Sequence, residues 1–201
     1  TGSLLGGIPA VANSEGIEIP KEAFATSVRP QALDDLTELT LSETMTLVRN
    51  GTLAPSDLVN AYVERIETYD HIYKAYAARP TLQNLLDRAN QVSTDDSKVP
   101  LRGVCFAPKD NFYTADLLTE AGSLVFQDFQ PDYDATVVSI VRAAGGLVVG
   151  KAQMGNLAGG RARQYGTTIP TTRNAWTPNH PDYSPGGSSS GSAAAVAARM
   201  M

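Results

Sequence analysis

The chain has 201 residues, of which 42% are hydrophobic and 18% charged, with a formal net charge of −5. That is one domain, or part of a larger one, with apolar residues enough for a sizeable core; it excludes a disordered chain, and an acidic balance without a basic block argues against nucleic acid. The single cysteine, Cys105, excludes an internal disulfide and a cysteine metal cluster, the two histidines, His71 and His180, are too few for a His-rich metal site, and no apolar run is as long as a membrane span.

The first twelve residues, Thr1 to Ala12, are small and mildly apolar and end in Ala10-Val11-Ala12, an A-x-A-like cleavage pattern. They read as the end of an export signal or as an unstructured arm, so the chain is expected in the periplasm or outside the cell on the first reading and in the cytoplasm on the second. Residues 1–30 are set aside as signal remnant and extended lead-in, and 31–201 carry the fold.

Thr40-Leu41-Ser42-Glu43 fits a capping box, opening a short helix that runs through Val48 and stops at Asn50-Gly51. Pro55 stands at the first position of a second helix, with Leu58, Ala61, Tyr62, Ile66 and Tyr69 at helical spacing. Tyr73 to Ala78 reads as a short strand, and Pro80 to Gln91 as a third helix with Leu82, Leu85, Leu86 and Ala89 on one face. Ser93 to Val99 is a polar loop. Leu101 to Ala107 reads as a buried strand in which Cys105 is a small core residue. Asp134 is placed to cap a fourth helix with Val137, Val138, Ile140 and Val141 on its apolar face and Gly145 at its end. Leu147 to Gly150 is a second buried strand, parallel to the first across a right-handed crossover. Residues 156–187 form a long Gly-, Thr-, Pro- and Asn-rich connection, the kind that carries function more often than not.

Two places carry chemistry. Lys109 follows the first buried strand directly; with its stem buried, desolvation favours the neutral amine and makes it a candidate base, the alternative being a lysine that reaches water or pairs with Asp110. Pro185 to Ala198 gives two glycines, three serines and an Ala-rich helix start, so hydroxyls gather at a helix N-terminus. Two look-alikes fail. Gly145 to Lys151 has phosphate-loop spacing, but Ala152 stands where a hydroxyl should reach magnesium, and the residues between belong to a strand. Gly187 to Gly191 fits G-x-S-x-G with Ser189 as nucleophile, but no hydrophobic strand precedes it and no His follows His180.

Taken in order, these blocks resemble the amidase signature family of Ser-Ser-Lys hydrolases. The resemblance is carried by Pro100 to Val104 with Lys109-Asp110-Asn111, Thr119 to Ser123, Asp134 to Val138, Arg142 to Gly146, Gly150 to Met154, Thr172-Arg173-Asn174, and Ser184 to Ala198. It runs from about residue 34 to the last. It implies an α/β fold, a mixed β-sheet flanked by helices, truncated here before the sheet is complete. It implies an amidase that cleaves amide C–N bonds of a small-molecule substrate through an acyl-enzyme, with no cofactor and no metal. Carried over residue by residue, Lys109 is the base and Ser188, after a cis Gly187–Ser188 bond, relays the proton; Ser189, Ser190 and Ser192 are turn and cap residues. The family's nucleophilic serine belongs to a further Gly-Gly-Ser motif, expected beyond Met201, so this chain alone is expected to be inactive. Ser190 and Arg199 stand where the family usually has Gly, and no Gly ends the last helix. The alternatives are an α/β-hydrolase-type esterase using Ser189, a non-catalytic module on this fold, and the amidotransferase subunit of the same family.

Overall fold

A computed structural model describes residues 34–92, 98–162, 171–180 and 182–201. The expectations for Thr1–Ala12 and the 1–30 lead-in, and most of the 93–99 loop, lie outside the described residues. No helix among those described is long and apolar enough to cross a membrane.

Helix α1, Leu41–Arg49, starts at the capping box: Thr40 accepts from the Glu43 N–H, and the Glu43 carboxylate accepts from the Thr40 N–H. Helix α2, Pro55–Tyr73, is the longest element. Its buried face is Leu58, Val59, Tyr62, Val63 and Ile66, rotated from the predicted stripe. Ala61 lies at its margin, and Tyr69 stands outside it with the Arg65 guanidinium 5.0 Å over its ring. Tyr73 closes α2, and Lys74 turns left-handed (φ 51°). The strand expected from Tyr73 is therefore only β1, Tyr76–Ala78. Helix α3, Leu82–Gln91, is capped by Thr81 and buries Leu85 and Ala89; Leu82, at its first turn, is exposed.

The predicted seven-residue strand is cut to β2, Cys105–Phe106. Before it the chain coils: Arg102 donates to Val99 O, Val104 donates to Leu101 O, and Gly103 adopts φ +72° against Pro55, where a Cβ would come within 2.7 Å of the ring. Helix α4, Thr136–Ala143, carries no side-chain cap. Asp134 instead accepts from the Ala115 N–H at 2.9 Å and faces Arg142 in the last turn of α4, so its carboxylate ties a loop to the far end of the helix and does not cap its start. Of the face predicted for α4, Val138 is buried, Val141 half-buried, and Val137 and Ile140 exposed. Gly145 (φ +92°) leads into β3, Leu147–Val148, and β4, Lys151–Ala152, follows. The predicted strand is thus broken at Val149–Gly150.

β2 and β3 pair in parallel, as the crossover requires, and β1 pairs antiparallel with β4. The chain from Leu147 to Ala152 is thus the middle line of a mixed sheet. Side chains alternate across it. Leu147 and Val149 join the core made with α2, α3 and α5 (Ser190–Ala197), whereas Val148 joins Leu117 and Val138 on the α4 side. Ala152, not Lys151, returns to the first side, so the alternation slips by one residue at Gly150, whose missing Cβ makes room for the Tyr76 ring. Cys105 is partly buried and packs against the core on the α2 side, and desolvation pushes its thiol up to about 12.

The last helix does end, though no glycine ends it. Arg199 takes a left-handed φ of 58°, its N–H donates to Val196 O, and the Met200 N–H donates to Ala195 O: a Schellman motif with arginine in the glycine place. The Arg199 guanidinium pairs with Asp35 and Glu38. Its neighbouring carbonyls are tied to the core, Ala198 O by Arg65 Nε at 2.6 Å and Met200 O by the Tyr76 hydroxyl at 2.7 Å. Because a Cβ at positive φ is strained, Arg199→Gly should be more stable than Arg199→Ala by about 1 kcal/mol in denaturant unfolding. Equal stabilities would show that Arg199 carries no backbone strain.

Candidate functional site

Lys109 leaves the end of the β2 line and is fixed by the middle line. The Ala152 N–H donates to Pro108 O at 2.8 Å, and the Asp110 N–H donates to Ala152 O at 3.0 Å. Both bonds go to one residue and bracket Lys109, forming an isolated parallel bridge between Lys109 and Ala152. The side chain is half-buried, less than a stem wholly inside a strand end would be. Its Nζ donates to Ser188 Oγ at 2.5 Å, across 79 positions of sequence. Lys109 does not pair with Asp110, which faces the opposite side of the sheet.

Ser188 is held by the irregular segments around it. The Gly187–Ser188 peptide bond is cis, and Ser188 O accepts from the Gly155 N–H at 3.0 Å. Gly187 and Gly155 both lie against the Gly160 carbonyl, which would overlap a Cβ on either, so only glycine lets the three backbones meet. Asn174 Nδ2 donates to Ser184 O, and Ser184 Oγ accepts from the Gly186 N–H, where φ is +91°. The buried Ser190 hydroxyl donates to Gly186 O at 2.9 Å and accepts from the Ala162 N–H at 3.1 Å. It closes the turn, a task a glycine could not perform. Gly191 packs its backbone on β4, donating to Gln153 O at 2.8 Å. Thr172 and Arg173 anchor the preceding segment to Lys74 O and Tyr73 O.

Ser189 is the N-cap residue of α5, but its hydroxyl makes no capping bond. Among the described residues no hydrogen bond joins it to either histidine: His71 lies in the last turn of α2, and the His180 ring packs edge-on against Tyr183. The phosphate-loop look-alike is taken apart by the fold. Its Gly145 is a turn, its middle is β3, and the Lys151 side chain points into the protein.

Lys151 is the residue that sequence reasoning missed. Its side chain is 0% exposed and that of its partner Asp110 1%, with Nζ 3.3 Å from Asp110 Oδ1. Nζ also donates to Thr119 Oγ1 at 2.6 Å and to Leu118 O at 3.1 Å. Asp110 in turn accepts from the Glu120 N–H at 3.2 Å. Burial pushes the two groups toward their neutral forms, Asp110 up and Lys151 down, and the charge of each partner opposes that push. The available signal was a lysine inside an apolar strand run, one residue past a glycine, where an unpaired charge would be costly.

The geometry is a base-type amine touching a hydroxyl at the foot of a helix, with room for a proton to pass along the pair. Residues 57–201 match the family model described as Amidase. The A-type subunit of the glutamyl-tRNA(Gln) amidotransferase of Thermus thermophilus is 37% identical over 153 residues, which are 76% of this chain and 31% of that protein. A putative amidase, AmiD, of Mycobacterium bovis is 36% identical over 159 residues, 77% of this chain and 33% of that one. Among solved structures, the native peptide amidase of Stenotrophomonas maltophilia superposes with a TM-score of 0.67 at 33% identity, covering 81% of this chain and 34% of that one. The chain thus spans about a third of the length of the curated relatives it matches.

The three-glycine contact is the part of the site most sensitive to a single methyl. Gly187→Ala should destabilise the fold by about 1–3 kcal/mol through overpacking. Thermal unfolding measures it, and an unchanged midpoint would show that the Gly160 segment yields without cost.

Proposed function

The chain belongs to the amidase family, and from that premise we propose that the protein it forms part of hydrolyses amide C–N bonds, with Lys109 as base and Ser188 as proton relay. The observation that carries this is the 2.5 Å contact between Lys109 Nζ and Ser188 Oγ. A hydroxyl both gives and accepts a proton, so it can pass one between an amine and a third group in a single concerted shift.

The steps follow from that pair. Neutral Lys109 takes the Ser188 hydroxyl proton as Ser188 Oγ takes the proton of a nucleophilic serine outside these residues. The freed serine oxygen bonds to the amide carbon, and the carbonyl π pair moves onto its oxygen. As that pair returns, the C–N bond breaks and the proton travels back through Ser188 to the leaving nitrogen. Water then attacks the acyl-enzyme by the same relay, giving the carboxylic acid and restoring the serine. Because the nucleophile and the donors that stabilise the oxyanion are assigned elsewhere, we propose that these 201 residues alone are inactive.

The 37% identity to an amidotransferase subunit supports a second reading, in which the same cleavage releases ammonia to an acceptor held by a partner. Amide hydrolysis by the purified protein without a partner favours the amidase; ammonia release only in a complex favours the subunit. We also propose that Thr1–Ala12 is an export-signal remnant, which cell fractionation would test.

Lys109→Ala or Ser188→Ala in the full-length protein should lower kcat on an amide by about 10²–10⁴-fold, the usual scale of general acid–base catalysis. A fluorophosphonate probe should label neither Ser188 nor Ser189. Labelling mapped to either serine would overturn the relay assignment.

A further inference from the structure

The Lys151–Asp110 pair is the most completely buried charged cluster among the described residues, and the steps above make no use of it. Its placement is particular. Asp110 is the chain neighbour of Lys109, and Lys151 is the chain neighbour of Ala152, the residue whose two backbone bonds bracket Lys109. The dipeptide Lys151–Ala152 therefore grips the tripeptide Pro108–Asp110 twice, by backbone hydrogen bonds in the plane of the sheet and by an ion pair on one of its faces.

We propose that Lys151 is a positioning residue for Lys109: it anchors Asp110, and it balances the carboxylate charge standing next to the amine. This rests on the reading of Lys109 as base. A base must be present as the free amine, and a carboxylate close by favours the ammonium form. Asp110 is needed, because its backbone and side chain organise the next segment: its carbonyl accepts from the Ala121 N–H at 3.3 Å and its carboxylate from the Glu120 N–H at 3.2 Å. Lys151 lets that carboxylate stay without its field falling on Lys109 alone.

The other charges nearby do not do this. Asp116 is felt at Lys151, but its oxygens are taken by Arg142 at 2.6 Å and Arg88 at 2.9 Å. Glu120 turns its own carboxylate to the Asp128 N–H at 2.9 Å. Ser188, the group facing Lys109 from the α5 side, is uncharged. Stability alone gives little reason for the pair, since well-packed apolar residues of similar volume commonly serve as well or better.

The test uses the full-length protein with Lys151→Met, Asp110→Asn and Lys151→Arg. Two quantities are followed against pH: kcat/KM on an amide, and competitive acetylation of Lys109 by acetic anhydride, quantified by mass spectrometry and needing no substrate. Lys151→Met should move the acid limb and the Lys109 acetylation midpoint up by about 1 pH unit, and Asp110→Asn should move both down, as a neighbouring charge of each sign requires. Lys151→Arg should restore the wild-type midpoint. At pH 7 Lys151→Met should lower kcat by about tenfold with KM little changed. If Lys151→Met does not fold, the downward shift in Asp110→Asn decides. Midpoints that stay put, or that move the same way in both variants, would overturn the proposal. Wild-type protein that cleaves no amide yet shows the opposed acetylation shifts would overturn the amidase reading and leave this one standing.

Discussion

Two hydrogen bonds to the backbone of Ala152 determine where the chemistry sits. They place the end of the β2 line beside the middle line, so that Lys109 emerges opposite the foot of α5. Everything else serves that contact. The α2 and α3 helices pack the sheet from one side, and α5 lies on the same side because Gly191 brings its backbone against Gln153 and Ala75. The carbonyls beyond α5 are then pinned by Arg65 and Tyr76, which belong to α2 and β1. The lysine and the serine come from parts of the chain distant in sequence: the sheet places the one, and the irregular segments at Gly155 and Gly160 hold the other.

Much of this was legible in the sequence where a local rule has a single physical outcome. The Thr40–Glu43 capping box, Pro55 at a helix start and the apolar spacing of α2 and α3 each correspond to an observed element. The parallel pairing of β2 and β3 follows from the crossover between them. Where the sequence misled, a longer-range partner had claimed the residue. Asp134 looks like a helix cap because it precedes one, but Ala115 and Arg142, unpredictable from local order, take its oxygens. Leu101 to Val104 is apolar enough for a strand, but Gly103 must turn under Pro55.

The site was legible to different degrees. Lys109 was visible as a lysine at a strand end, whereas Ser188 was singled out among the serines of the glycine turn only by the family resemblance; the fold places the two in contact. Lys151 was hidden by its own neighbours: it ends a run with phosphate-loop spacing, and its partner Asp110 looks like a companion of Lys109. The side of the sheet on which each stands could not be read, because the alternation slips at Gly150. Arg199 is the converse case. A missing glycine suggested an unfinished helix, whereas the helix closes with arginine in a left-handed turn held by two carboxylates.

The slip at Gly150 has an evolutionary consequence. Side-chain direction along a strand has period two, so one residue gained or lost in the middle line would exchange the sides of everything after it. Gly150 is the exception, since its loss would restore plain alternation with Lys151 and Ala152 on their present sides. Losing Val148 or Val149, with the slip kept, would turn Lys151 to the other side of the sheet and leave the buried Asp110 carboxylate without its partner. Point substitutions are open to the apolar positions, not to Gly150, whose Cβ would meet the Tyr76 ring, nor to the paired Lys151; a change of length before the slip is closed as well. Within lineages sharing this site, the spacing from Leu147 to Ala152 should drift far more slowly than the residues that fill it.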